Sequence, residues 1–150
     1  MDPDCIMISG SSAGAVTVLQ ADYYLNNKMH SYEILPAGFQ YAGVLSFAGA
    51  IFSHQGTPDY KEKPAPTLFL HGDKDKVVFY NKLRLFRRGM FGSKPLAKRF
   101  KKREFNYLFI TMKNKGHSVS GSPMHNNLDI IEWFIQIMSM KRKTGKTKAV

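Results

Sequence analysis

The segment Gly10-Ser11-Ser12-Ala13-Gly14 sets one serine between small residues, directly after an apolar run and directly before a helical pattern of Ala15, Val18 and Leu19. That is the strand, tight turn, helix context of a nucleophile elbow, in which the chain turns so sharply that the serine hydroxyl stands clear of the sheet. Ser12 is therefore the candidate nucleophile. Glycines two positions to either side are expected to make room for the turn, because a Cβ there would press on neighbouring backbone. The helix that follows presents unpaired N–H groups where an oxyanion would form beside Ser12, and the Ala13 N–H is the one recognisable donor. A serine nucleophile needs a base and an acid. Further along, Thr67 to His71 leads into Gly72-Asp73-Lys74-Asp75, and a later strand pattern ends at Gly116-His117-Ser118. The order serine, acid, histidine supplies all three groups, with either Asp73 or Asp75 as the acid.

Those residues must be carried by elements. Four short runs, Cys5 to Ser9, Gly43 to Phe47, Thr67 to His71 and Tyr107 to Met112, are apolar on both faces, as strands of a parallel sheet covered on each side by helices should be. The fold class is α/β. Helices are expected at Ala13 to Asn26, at about Asn81 to Met90, and at Pro123 to Met140. The last has Ser122 as a cap, Pro123 in its first turn and an apolar stripe of Leu128, Ile131, Phe134, Ile135 and Met138. The stretches Asn27 to Gln40 and Ser53 to Pro66 read as loops, expected around the mouth of the site. No internal repeat and no second domain is evident.

At 150 residues with 43% hydrophobic content the chain suits one domain with a real core. No apolar run is long enough to span a bilayer, and Asp2-Pro3-Asp4 does not begin a signal peptide, so the cytoplasm is the default compartment. The one cysteine, Cys5, is expected to pack as a small hydrophobe in the first strand. The formal charge is +11, and fifteen of the 22 Lys and Arg residues fall in Lys82 to Arg103 and Lys141 to Lys148, neither of which contains a carboxylate. The first stretch reads as the solvated face of a surface helix and loop, with Leu83, Leu85, Phe86, Phe91 and Phe100 making apolar contacts. The second has nothing to bury and reads as a disordered tail, residues 141–150, after a domain of residues 1–140. His71 is expected to bond within the turn that ends its strand. His30, His54 and His125 read as solvated, and Trp133 as a packing residue of the last helix. Metal-ligand spacing, phosphate loop and dinucleotide fingerprint are all lacking, so no cofactor is implied. Neither membrane nor nucleic acid is an expected partner.

The stretches Asp4 to Gly14, Gly43 to Gly49, His71 to Val78 and Gly116 to Ser118 together resemble the α/β-hydrolase superfamily, in particular bacterial carboxylesterase-like proteins related to the prolyl oligopeptidase and dienelactone hydrolase groups. Carried over residue by residue, the resemblance implies Ser12 as nucleophile, His117 as general base and Asp75, ahead of Asp73, as the acid that orients the histidine. It implies a serine hydrolase acting on a small carboxylic ester through an acyl-Ser12 intermediate, without a cofactor. A serine peptidase of the prolyl oligopeptidase type, and a noncatalytic remnant with a basic binding face, are the alternatives. Members of the superfamily have several strands before the elbow, where this chain has nine residues before Gly10. The expectation is a partial α/β-hydrolase fold of about four strands, with N-terminal strands missing and Met1 internal to a longer protein.

Overall fold

The computed structural model describes residues 5–29, 35–121 and 126–144, with side chains through residue 137. Four strands, β1 (Met7–Ser11), β2 (Gly43–Phe47), β4 (Thr67–Gly72) and β7 (Tyr107–Met112), form a parallel sheet in the order β1-β2-β4-β7. Register pairs Ser9 with Leu45, Leu45 with Leu68, and Leu68 with Leu108 across it. All four are the strands expected from the apolar runs, though β1 starts two residues later than expected. Cys5 consequently lies outside β1 and is exposed, so it does not pack as a core hydrophobe.

Alternation along the strands separates two cores. On one face Val44 and Phe69 pack with Leu19 of α1 (Ala13–Asn26) and with Leu96, Ala97 and Phe100 of α2 (Ser93–Lys102). The buried positions of α1, namely Ala15, Leu19, Asp22 and Asn26, recur at helical spacing, so a single stripe meets the sheet. Edge-to-face ring pairs bind this layer, with Phe69–Phe100 at 5.3 Å and Tyr60–Phe100 at 5.5 Å between centroids. On the opposite face Leu45, Phe47, Leu68 and Leu70 pack with Val119, and with Ile131 and Phe134 of α3 (Leu128–Thr144). Trp133, expected to pack, is 53% exposed, because Ile131 and Phe134 take the core-facing side of the helix and leave Glu132 and Trp133 to solvent. The expected start of this helix, Ser122 to His125, and also His30, lie outside the described residues. So do residues 145–150 of the basic segment, whereas Lys141 to Thr144 belong to α3.

The expected helix over Asn81 to Met90 is instead a hairpin. β5 (Lys82–Leu85) and β6 (Arg88–Gly92) pair antiparallel, and β3 (Ala50–Ser53) pairs with the other edge of β6, giving a second sheet in the order β3-β6-β5. Two glycines decide this. A Cβ on Gly89 would lie 2.6 Å from the Leu83 carbonyl oxygen, and one on Gly92 would lie 1.9 Å from that of Phe79. Such close approach suits a tight ribbon, and glycine is also a poor residue for a helix interior. The basic stretch therefore divides into a hairpin and α2, with Phe91 and Phe100 buried while Leu83, Leu85 and Phe86 are exposed.

The loops after α1 and after β3 do not both frame the carboxyl end of the sheet as expected. The Asn26 carbonyl accepts from Glu62 N–H at 3.0 Å, and Lys28 pairs with Glu62 at 3.1 Å, so the two loops meet at the C-terminus of α1, beside the amino ends of β2 and β4.

Candidate functional site

Ser12 occupies the single residue between β1 and α1, with φ 54° and ψ −119°, a combination rarely adopted by residues with a side chain. Its N–H donates to Phe47 O at 2.9 Å and its carbonyl accepts from Val16 N–H at 3.0 Å, so strand pairing and helix hold it from both sides. The two framing glycines are not equivalent. A Cβ on Gly10 would lie 2.2 Å from the Gly14 carbonyl oxygen, whereas one on Gly14 would meet nothing within 4 Å. The turn thus requires glycine only at position 10. Ala13, the first residue of α1, directly follows Ser12 and is exposed, and as the first residue of the helix it has no intrahelical acceptor for its N–H.

His117 begins a 3-10 turn, His117–Gly121, that follows β7. Its Nε2 lies 2.8 Å from Ser12 Oγ and its Nδ1 lies 2.8 Å from Asp75 Oδ2. The ring nitrogen facing a carboxylate carries the proton, so Nε2 is left to accept from the Ser12 hydroxyl. Three features set this turn in place. Val119 is buried against the sheet, the Ser11 hydroxyl donates to Ser120 O, and Gly72 lets the preceding loop close in. A Cβ on Gly72 would lie 2.4 Å from Lys115 O.

The two aspartates, open on the residues alone, do different things. Asp73 Oδ1 accepts from Asn114 N–H at 2.7 Å, which ties the loop after β4 to the loop after β7. Asp75 is buried, its Oδ1 taking the N–H groups of Val77 at 2.9 Å and Val78 at 3.1 Å, its Oδ2 taking His117. A fourth donor comes from His71, whose Nε2 lies 3.2 Å from Asp75 Oδ2 and 2.9 Å from Val78 O. Burial pulls the His71 pKa below its usual value, so the ring is neutral at neutral pH and Nε2 bears its proton. Nδ1 then accepts from the Ser93 hydroxyl, 2.8 Å away at the start of α2. His71 does bond within its turn as expected, but it also contacts the carboxylate that holds His117. Its position four residues before Asp75 was the only sign of this. Nothing in the sequence pointed to Ser93.

Ser12, His117 and Asp75 are therefore brought into one hydrogen-bonded relay at the carboxyl ends of β1, β7 and β4. His54 is exposed and apart from it. Among the described residues no cluster of His, Cys, Asp or Glu could hold a metal ion, and no helix is long and apolar enough to cross a membrane.

No family model and no curated protein matches the chain. Solved structures do. Arabidopsis thaliana SOBER1 is 19% identical with a TM-score of 0.55, the match covering 92% of this chain and 55% of that one. An esterase, PE8, is 19% identical with a TM-score of 0.60, covering 92% of this chain and 52% of that one. The chain spans about half the length of the solved structures it matches. The likeness is one of fold: a parallel four-stranded sheet flanked by helices, matching about half of each of those structures.

Proposed function

We propose that this chain carries the catalytic groups of a serine hydrolase acting on small carboxylic esters. The observation that carries the reading is the unbroken pair of contacts, 2.8 Å from Ser12 Oγ to His117 Nε2 and 2.8 Å from His117 Nδ1 to Asp75 Oδ2. His117 takes the Ser12 proton as the oxygen attacks the ester carbonyl, then gives it to the departing alkoxide, leaving acyl-Ser12; in the second half it takes a proton from water as the water oxygen attacks the acyl carbon, then returns that proton to Ser12 Oγ as the acid leaves. Asp75 holds the Nδ1–H tautomer and stabilises the imidazolium. The Ala13 N–H donates to the oxyanion, aided by the positive end of α1.

The strain at Ser12 supports this reading over a noncatalytic remnant, since backbone in such a conformation costs on the order of 1–3 kcal/mol and serves no purpose in a mere scaffold. That PE8 is an esterase supports the ester as substrate class. The test is hydrolysis of p-nitrophenyl acetate by the full chain and by Ser12→Ala. Release of nitrophenolate by the former and background release by the latter is expected; equal rates would refute the proposal.

A further inference from the structure

The sheet β3-β6-β5 turns one face inward, where Ile51 and Phe91 are buried; its other face is covered at Ala50 and Gly92, half-covered at Met90, and exposed toward the hairpin end. Register places Phe52 opposite Met90 and Met90 opposite Leu83, so one apolar side chain from each strand lines up across that outer face. Leu85, two residues on from Leu83, extends the same row, and Phe86 follows at the hairpin turn with φ 52°. Exposure is 52% at Phe52, 55% at Leu83, 73% at Leu85 and 84% at Phe86, rising toward the tip. An apolar row of this kind on a soluble surface marks a contact site.

Its surroundings say what it contacts. Lys82, Arg84, Arg87 and Arg88 lie within the same hairpin, all are exposed, and no carboxylate occurs between Lys82 and Arg103. We infer that the β5–β6 hairpin docks the protein on the surface of a bilayer containing anionic phospholipid, Leu85 and Phe86 entering the interfacial layer while the arginines meet the headgroup phosphates. The combination favours that partner over the others. A second copy packed symmetrically here would set one cationic hairpin against another, with Arg88 beside Leu85 on the apolar face, Lys82 and Arg84 on the reverse, and no carboxylate in the segment to offset them. A nucleic acid would use the cations but leave the aliphatic row unburied. A lipid interface takes both, the apolar tip by burial and the cations by attraction to a negative surface. This departs from the expectation that membranes are not a partner. It is independent of the hydrolytic reading, since none of these side chains belongs to the Ser12 relay.

Cosedimentation of the full chain with vesicles of phosphatidylcholine, alone or mixed with phosphatidylglycerol, tests the inference. Binding to the mixed vesicles only, weakened by salt, is expected. Arg84→Gln and Arg87→Gln should each weaken it roughly fivefold. Leu85→Ser with Phe86→Ser should weaken it at least roughly tenfold. All four positions are exposed, and an unchanged thermal midpoint identifies variants that fold. The inference is overturned if the folded chain ignores phosphatidylglycerol vesicles, or if charge variants abolish binding that the apolar double variant leaves intact. It is equally overturned if light scattering shows a dimer that Leu85→Ser dissolves and that excludes vesicles.

Discussion

At the scale of single residues, Asp75 is the hub. Four donors converge on its two oxygens, two from backbone and two from imidazoles, and a carboxylate so satisfied is fixed in orientation as well as in charge. Asp75→Asn keeps the shape but offers an N–H where His117 needs an acceptor, so kcat for p-nitrophenyl acetate should fall by about 10⁴-fold with little change in KM. His71 differs in kind, since it touches Asp75 and not the reacting atoms. Its pKa lies below the ordinary 6.5, so folding favours its neutral form. The stability this contributes is complete above pH 6.5 and is lost as pH falls from there through the lowered folded value. Asp22 works in the opposite sense over part of this range, so the comparison is with His71→Gln, which keeps a donor but does not titrate: the thermal midpoint of the parent relative to that variant should decline on acidification below pH 6.5. The framing glycines give a paired test. Gly10→Ala drives a methyl into the Gly14 carbonyl and should cut turnover by roughly a hundredfold through displacement of Ser12, whereas Gly14→Ala, facing open space, should leave it nearly unchanged.

At the scale of elements, α1 contains a buried acid that the chemistry does not use. Asp22 sits between α1 and the start of β4, accepting from Asn26 Nδ2 at 2.9 Å and from Ala65 N–H at 3.3 Å, and burial raises its pKa from 3.8 to about 7. In the folded protein it holds a proton that the unfolded chain releases near pH 3.8, so stability is highest below that value and falls as pH rises toward about 7. Asp22→Asn preserves the acceptor and removes the titration; urea unfolding at pH 8 should show it more stable than the parent, by a few kcal/mol at most. The main sheet and α1 were legible because both obey one strong rule each: runs apolar on both faces for the strands, and a single buried stripe for the helix. The second sheet was not. Leu83, Phe86 and Met90 stand at helical spacing, while the period-two signal consists of Leu83 and Leu85 alone, and only the contacts of Gly89 and Gly92 decide between them. α2 escaped notice because its apolar positions, Leu96, Ala97 and Phe100, sit among cations in a segment already read as surface. The three relay residues were readable from their places at strand ends, but the choice of Asp75 over Asp73 came from family likeness. The physical reason, that Asp73 is engaged by the Asn114 amide, belongs to tertiary structure.

At the scale of the whole molecule, β1 and β7 are the outer strands of the main sheet among the described residues and β4 stands between, so the Ser12 relay runs across the carboxyl end from β1 to β7. The site exists only while every strand keeps its register. Phe100, which links α2 to β4 and to Tyr60, lies far from the relay in sequence yet supports that register; Phe100→Ala should lower unfolding free energy by about 3–5 kcal/mol in urea titration. The proposed function requires that the alignment of β1, β4 and β7 activates the Ser12 hydroxyl through His117. Reaction of the folded full chain with a fluorophosphonate, followed by peptide mapping, measures this most directly. One adduct is expected, on Ser12, absent from Ser12→Ala and formed at least roughly a hundredfold more slowly in a folded His117→Ala chain. An unlabelled Ser12, or labelling at the same rate without His117, would contradict it.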